Sequence, residues 1–186
     1  MGVEVSIHVA EEVVGTGPFT PGDACALFSI ERSPVTPGQI EDCIRLMSYS
    51  RSDLLALVAG LPDELLDWRE SETEFSLRIL LRHIGNAEEW YISRLFEPDQ
   101  LPQEWAEDHS LPIFEFLDLE RCGCVDCLRR LDERQRSEVF HPAHFTDHPE
   151  EEWTARKVLR RFVEHEREHT GQAREILAAC SAGKRR

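Results

Sequence analysis

Basic residues are few in this 186-residue chain: 21 Lys and Arg stand against 36 Asp and Glu, a formal net charge of −15. That balance repels polyanions and removes the counterion-release drive for nonspecific binding, so no nucleic acid is expected as a partner. The one basic cluster, Lys184-Arg185-Arg186, follows the small-residue break Ser181-Ala182-Gly183, and residues 182–186 read as a frayed tail. No apolar run approaches the roughly 18 to 20 residues that cross a bilayer. Met1 to Ala10 also lacks the charged and apolar regions of a secretion signal, so a cytoplasmic protein without a membrane partner is expected. The six cysteines, Cys25, Cys43, Cys122, Cys124, Cys127 and Cys180, are too sparse for a secreted disulfide scaffold and are expected as thiols. Internal repeats and low-complexity tracts are lacking as well.

With 41% apolar residues, the chain is long enough for one domain with a full core, preceded by an N-terminal appendage. In residues 1–35, Val3, Val5, Ile7 and Val9 alternate with polar neighbours like a short half-buried strand. A lone strand needs an edge: it pairs with its own copy in a homodimer, docks on the rest of the chain, or belongs to a domain this chain lacks. Gly15 to Pro37 then reads as an extended arm. Residues 36–181 carry four amphipathic helical patterns. Thr36-Pro37-Gly38-Gln39 opens the first with a capping box and a proline in its first turn, and Gly60 and Pro62 close it. The second runs from Ser71, in box spacing with Glu74, to Phe96; the third from Pro112 to about Arg134; the fourth begins after the cap residue Thr154. Glu97 to Leu111, fifteen residues broken by Pro98 and Pro102, is long enough to cross a bundle end to end. An all-α four-helix bundle with one long connection is the expected fold class.

Three histidines occupy positions where these patterns call for aliphatic residues. The fourth helix carries the stripe Val158, Phe162, His165, His169, Ala173, Ile176, and the second carries Leu80, His83, Ala87, Trp90, Arg94. Side chains four apart share a helix face, so the imidazoles of His165 and His169 are able to meet one ion. Burying three imidazoles with no common partner is costly, whereas a divalent ion satisfies all of their nitrogens at once.

The stretches Leu80-Leu81-Arg82-His83-Ile84-Gly85-Asn86-Ala87-Glu88-Glu89-Trp90-Tyr91, Trp153 to Arg161, and His165-Glu166-Arg167-Glu168-His169-Thr170-Gly171-Gln172 resemble the DinB/YfiT-like superfamily, over roughly residues 37 to 180. The resemblance implies an up-down-down-up bundle and a divalent metal bound by His83, His165 and His169. It also implies chemistry of the kind found among thiol S-transferases, thiol-dependent isomerases and hydrolase-like members, with a slight preference for thiol transfer. Three imidazoles leave a coordination position open, the mark of a catalytic ion. A low-molecular-weight thiol bound there would lose its proton and attack a small electrophilic substrate, and a bound water would instead become a hydroxide-like nucleophile. Glu166 or Glu168 is the candidate to orient an imidazole from behind. Zinc, nickel and manganese are all accepted by imidazole and are not distinguished. The alternative is a non-catalytic, stress-related metal-binding protein, dimeric, whose ion mainly joins helices.

Two other motifs compete. His165-Glu166-Arg167-Glu168-His169 matches the H-E-x-x-H protease signature, but Gln172 and Glu175 stand where its extended form needs glycine and histidine. Cys122-Gly123-Cys124-Val125-Asp126-Cys127 suggests zinc, yet helical phase separates Cys122 from Cys124 and leaves Cys124 and Cys127 as core fillers. Only a helix break at Gly123 would assemble a cysteine site.

Overall fold

The computed structural model describes residues 6–13 and 26–183, the side chains of 106–109 and of 183 excepted. Among them are six α-helices: α1 (Pro37–Val58), α2 (Asp63–Leu66), α3 (Leu77–Ile92), α4 (Ile113–Arg129), α5 (Glu133–Ser137) and α6 (Ala155–Gly183). The four long ones form the bundle. Among the described residues no helix is long and apolar enough to cross a membrane.

Local chemistry sets the helix ends. The Thr36 hydroxyl accepts from the Gln39 amide, and the Gln39 side chain accepts from the Thr36 amide, closing the box that starts α1. Gly60, at φ 77°, takes the left-handed turn that ends it. Thr154 starts α6 by accepting from the Lys157 amide at 3.1 Å. The second long helix begins later than Ser71: its cap is Ser76, which accepts from the Ile79 amide, while Ser71 and Glu74 close only an isolated turn. The third is interrupted after Arg129, because Asp132 and Gln135 form a new capping box and start α5.

Pairings between helices give their directions. Arg82 reaches the Leu111 carbonyl and Glu88 reaches Arg121, so α3 and α4 run parallel. Cys43 meets Leu159 and Arg51 meets Glu166, so α1 and α6 are parallel too. His83 faces His165 while Tyr91 packs on Phe162, which makes α3 antiparallel to α6. The bundle is therefore up-down-down-up. The 20-residue connection between α3 and α4, with 3-10 turns at Pro98–Gln100 and Gln103–Ser110, returns the chain to the end from which α3 started.

The core is divided. One apolar layer joins Ile40, Cys43, Met47, Ile92, Cys124, Cys127, Leu128, Val158 and Phe162; the other joins Leu54, Val58, Leu77, Leu80, Leu81, Ile84, Ile113, Phe116, Leu117 and Ala173. Between them each long helix contributes one member to a ring of ion pairs. Arg51 bonds Glu166 at 2.5 Å and Glu88 at 2.7 Å. Arg121 bonds Glu88 at 2.9 Å and Glu166 at 3.1 Å. Both arginines also donate to helix carbonyls, those of Leu117 and Met47. Arg51, Glu88 and Glu166 are buried and Arg121 is largely so, giving two positive and two negative groups. Burial opposes the charge on Arg121, but Glu88 and Glu166 outweigh it and hold the guanidinium more firmly protonated than usual.

The N-terminal residues depart from expectation. Ile7 and Val9 form no strand and stand exposed; Val3 and Val5 lie outside the described residues, as do Cys25 and Lys184 to Arg186. Alternation alone cannot hold a strand without an edge to pair with. Nor is the segment from Ala26 onward a free arm. A 3-10 turn at Ser29–Arg32 places Glu31 in a buried ion pair with Arg160 at 2.6 Å, and the Val35 amide donates to the Arg136 carbonyl.

Removing one member of the charge ring leaves its partners buried and unbalanced. Arg51→Met is expected to cost about 3 to 5 kcal/mol, read by urea denaturation, and pairing it with Glu166→Gln should recover part of the loss. A single-variant cost within experimental error of zero contradicts this role.

Candidate metal centre

His165 and His169 project one turn apart from α6, and His83 projects from the facing side of α3. The Nε2 atom of His165 lies 3.1 Å from Nε2 of His83 and 3.0 Å from Nε2 of His169. One ligand atom from each of the three falls within 4.8 Å of the others. A tetrahedral zinc ion with bonds of roughly 2.0 to 2.1 Å needs nitrogens about 3.3 Å apart, so two of the spacings are already close to that value.

Protons satisfy this arrangement poorly. The Nδ1 atom of His169 lies 2.8 Å from Oε1 of Gln172, an acceptor, which draws the ring proton to Nδ1 and leaves Nε2 with its lone pair. At His165 a single proton on Nε2 can serve only one of its two close neighbours. One cation between the three rings serves all of them, and the donor set of three neutral imidazoles fits a divalent ion.

The environment disfavours charge on two of the rings, those of His165 and His83. Burial, followed by the neighbouring His169 and His83 and by Arg161, pushes His165 down to about 2. His83 is lowered by burial and by His169, with Glu168 acting in the opposite direction. The deep side of the cluster is closed by Tyr91, whose ring packs edge-on against His165 with centroids 5.7 Å apart and whose hydroxyl accepts from Arg161 at 3.2 Å. The other side is open. His83 lies at the exposed edge of α3 rather than on its core face, because α3 packs against both α4 and α6 and buries Leu80, Leu81, Ile84 and Glu88 between them.

Neither glutamate orients an imidazole. Glu166 turns to the bundle axis, where both of its oxygens are held by Arg51 and Arg121. The same fact removes it as the water-activating base of an H-E-x-x-H protease. Glu168 is exposed and makes no hydrogen bond to the three rings, its influence on His83 being through charge alone. Gln172 takes the orienting role instead. It lies one turn beyond His169, a spacing at which helix side chains meet, and that spacing is the signal by which it was open to recognition.

Cys122, Cys124 and Cys127 form no site: α4 continues through Gly123, Cys122 is exposed, and Cys124 and Cys127 lie in the core. Burial pushes both core thiols above the ordinary range, Cys124 strongly. Of the loop histidines, His141 and His144 are exposed and His148 is partly so; His148 bonds Glu150 and none of the three joins the cluster.

A family profile described as the DinB superfamily matches residues 46–173. The chain belongs to the DinB superfamily. The matched span of this DinB-superfamily bundle contains His83, His165, His169 and Gln172 as well as the four-charge ring, and it excludes the N-terminal segment. No curated protein and no solved structure matches the chain.

His165 binds fewer protons folded than unfolded, so its full contribution to stability is present above the ordinary imidazole value of 6.5 and is lost progressively as pH falls below it. Metal-stripped protein is expected to lose roughly 1 to 1.4 kcal/mol per pH unit between about pH 6.5 and 5 from this group. The exposed His83 adds less. The urea midpoint across that window measures the effect, and His165→Gln should flatten it; equal slopes in the two proteins contradict the assignment.

Proposed function

We propose that this chain is a divalent-metal-dependent enzyme in which His83, His165 and His169 provide three ligands and leave an open position for a small-molecule reactant. The observation that carries the reading is the convergence of three Nε2 atoms from two helices, with Gln172 setting the tautomer of one of them. An ion in that donor set supplies Lewis acidity, which generates a nucleophile near neutral pH from a thiol or from water.

The chain's own residues support the remaining roles. Tyr91 and Phe162 exclude water from the deep side, so charge at the cluster is felt in a low dielectric. His83 faces solvent and marks the side of access. The buried thiols Cys43, Cys124 and Cys127 are held protonated by burial and lie outside the histidine cluster, so a thiol nucleophile would come from a low-molecular-weight cosubstrate. A small electrophile is the fitting second reactant, and transfer onto such a thiol is the first reaction class to assay, hydrolysis the second. A purely structural ion is the weaker reading, since the charge ring already ties α3 to α6.

Purified protein loaded with zinc, nickel or manganese is expected to hold one ion per chain, and alanine at His83, His165 or His169 to abolish stoichiometric binding. Thiol-dependent turnover of halogenated, epoxide or maleyl-type acceptors should fall in parallel. Full metal retention in all three variants, or turnover that survives chelation, overturns the reading.

A further inference from the structure

Beside His83 an open groove of about 380 Å³ runs along the outer face of α3, lined by Phe75, Arg78, Ile79, Arg82, His83 and Asn86. Phe75 and Ile79 leave 40% and 42% of their area exposed in a chain of net charge −15, and the lining holds two guanidiniums and no carboxylate. The Phe75 ring stands 6.1 Å from the ring of His83, so the apolar floor reaches the histidine cluster without a gap.

The two arginines are not equivalent. Arg78 is committed to Asp67 and Asp63, whose two negative charges more than cancel its own. Arg82 stacks on the Phe116 ring at 4.2 Å and gives one N–H to the Leu111 carbonyl at 3.1 Å. It meets no carboxylate among the described residues, and its Nη1 atom is buried without a hydrogen-bond partner. Nη1 itself is shielded from the groove, but Arg82 lines the groove without a counter-ion, and an oxygen anion placed there would meet the guanidinium with a charge-assisted bond.

We propose that this groove is a binding site for a compact monocarboxylate with an apolar body. Its carboxylate pairs with Arg82, its aryl or short alkyl portion lies on Phe75 and Ile79, and its far end rests against His83. Such a ligand matches Arg82 in sign and the groove in apolar floor and in size. That it is the substrate rests on the metal reading given above; that the groove binds it does not.

The test is a titration of the full chain with phenylacetate and with its neutral analogue phenylacetamide, followed through backbone amide NMR shifts in metal-free and in zinc-loaded protein. Phenylacetate is expected to move the amides between Phe75 and Asn86 in both forms, and phenylacetamide to bind about tenfold more weakly or worse. Arg82→Met, which keeps an apolar stem over Phe116, should weaken phenylacetate about tenfold. Ile79→Asp, at an exposed position that does not endanger folding, should remove binding through like-charge repulsion and loss of the floor. Equal affinity for acid and amide, shifts centred away from α3, or wild-type affinity in both variants overturns the proposal. Binding that appears only with zinc present overturns it too, since the carboxylate would then be a ligand of the ion. If phenylacetate binds as expected but zinc does not bind, the groove stands and the metal reading fails.

Discussion

Arg51, Glu88, Arg121 and Glu166 meet at the axis of the bundle, and the placement of every other functional side chain follows from that meeting. Each long helix gives one member, the pairs alternate in sign, and the apolar core continues above and below. Four buried charges are not a source of large net stability, because desolvation offsets most of their attraction. Their effect is on specificity. A one-residue shift of any helix turns its charge by about 100° away from the ring and leaves an uncompensated charge in a water-poor interior. A mixed aliphatic core tolerates such slippage far better than this node does.

The histidine cluster inherits its geometry from that constraint. Glu166 is the immediate neighbour of His165, and Glu88 lies five residues from His83 along α3. Locking Glu166 toward the axis turns His165 and His169 toward the seam between α6 and α3, and locking Glu88 presents His83 from the opposite wall. Gln172 then sets one tautomer and Tyr91 seals the inner side. The result is a donor set on rigid helices, most exposed at His83, where the groove along α3 begins.

Much of this was legible in the chain, and the misses share a physical reason. Thr36 with Gln39, Gly60 and Thr154 marked helix ends correctly because caps are local hydrogen-bond chemistry. Ser71 and Glu74 have the same spacing as a true box, yet Ser76 wins because the buried run Leu77, Leu80, Leu81 begins only there. The i,i+4 pair His165 and His169 was visible for the same local reason, whereas His83 was assigned to the core face and lies at its edge. The ring is announced by no motif. Arginine and glutamate on a helix are ordinarily solvated, so Glu166 reads only as a partner for histidine or as the glutamate of H-E-x-x-H. A signal is present: Arg51 interrupts the stripe of Met47 and Leu54, Glu88 that of Ile84 and Ile92, and Arg121 that of Leu117 and Cys124, on three of the four long helices at a matching level. Charges of opposite sign breaking three apolar stripes at one height call for each other. The N-terminal alternation misled because a strand depends on a partner that no local pattern supplies.

The central claim is that three imidazoles, and no thiolate, hold the ion. X-ray absorption at the zinc edge of the loaded protein tests it most directly. The account requires a shell fitted by three imidazole nitrogens at about 2.0 to 2.1 Å, completed by a light-atom ligand, with the outer-sphere scattering of the rings. A sulfur shell at about 2.3 Å, or fewer than three imidazoles in protein that is fully loaded, would contradict it.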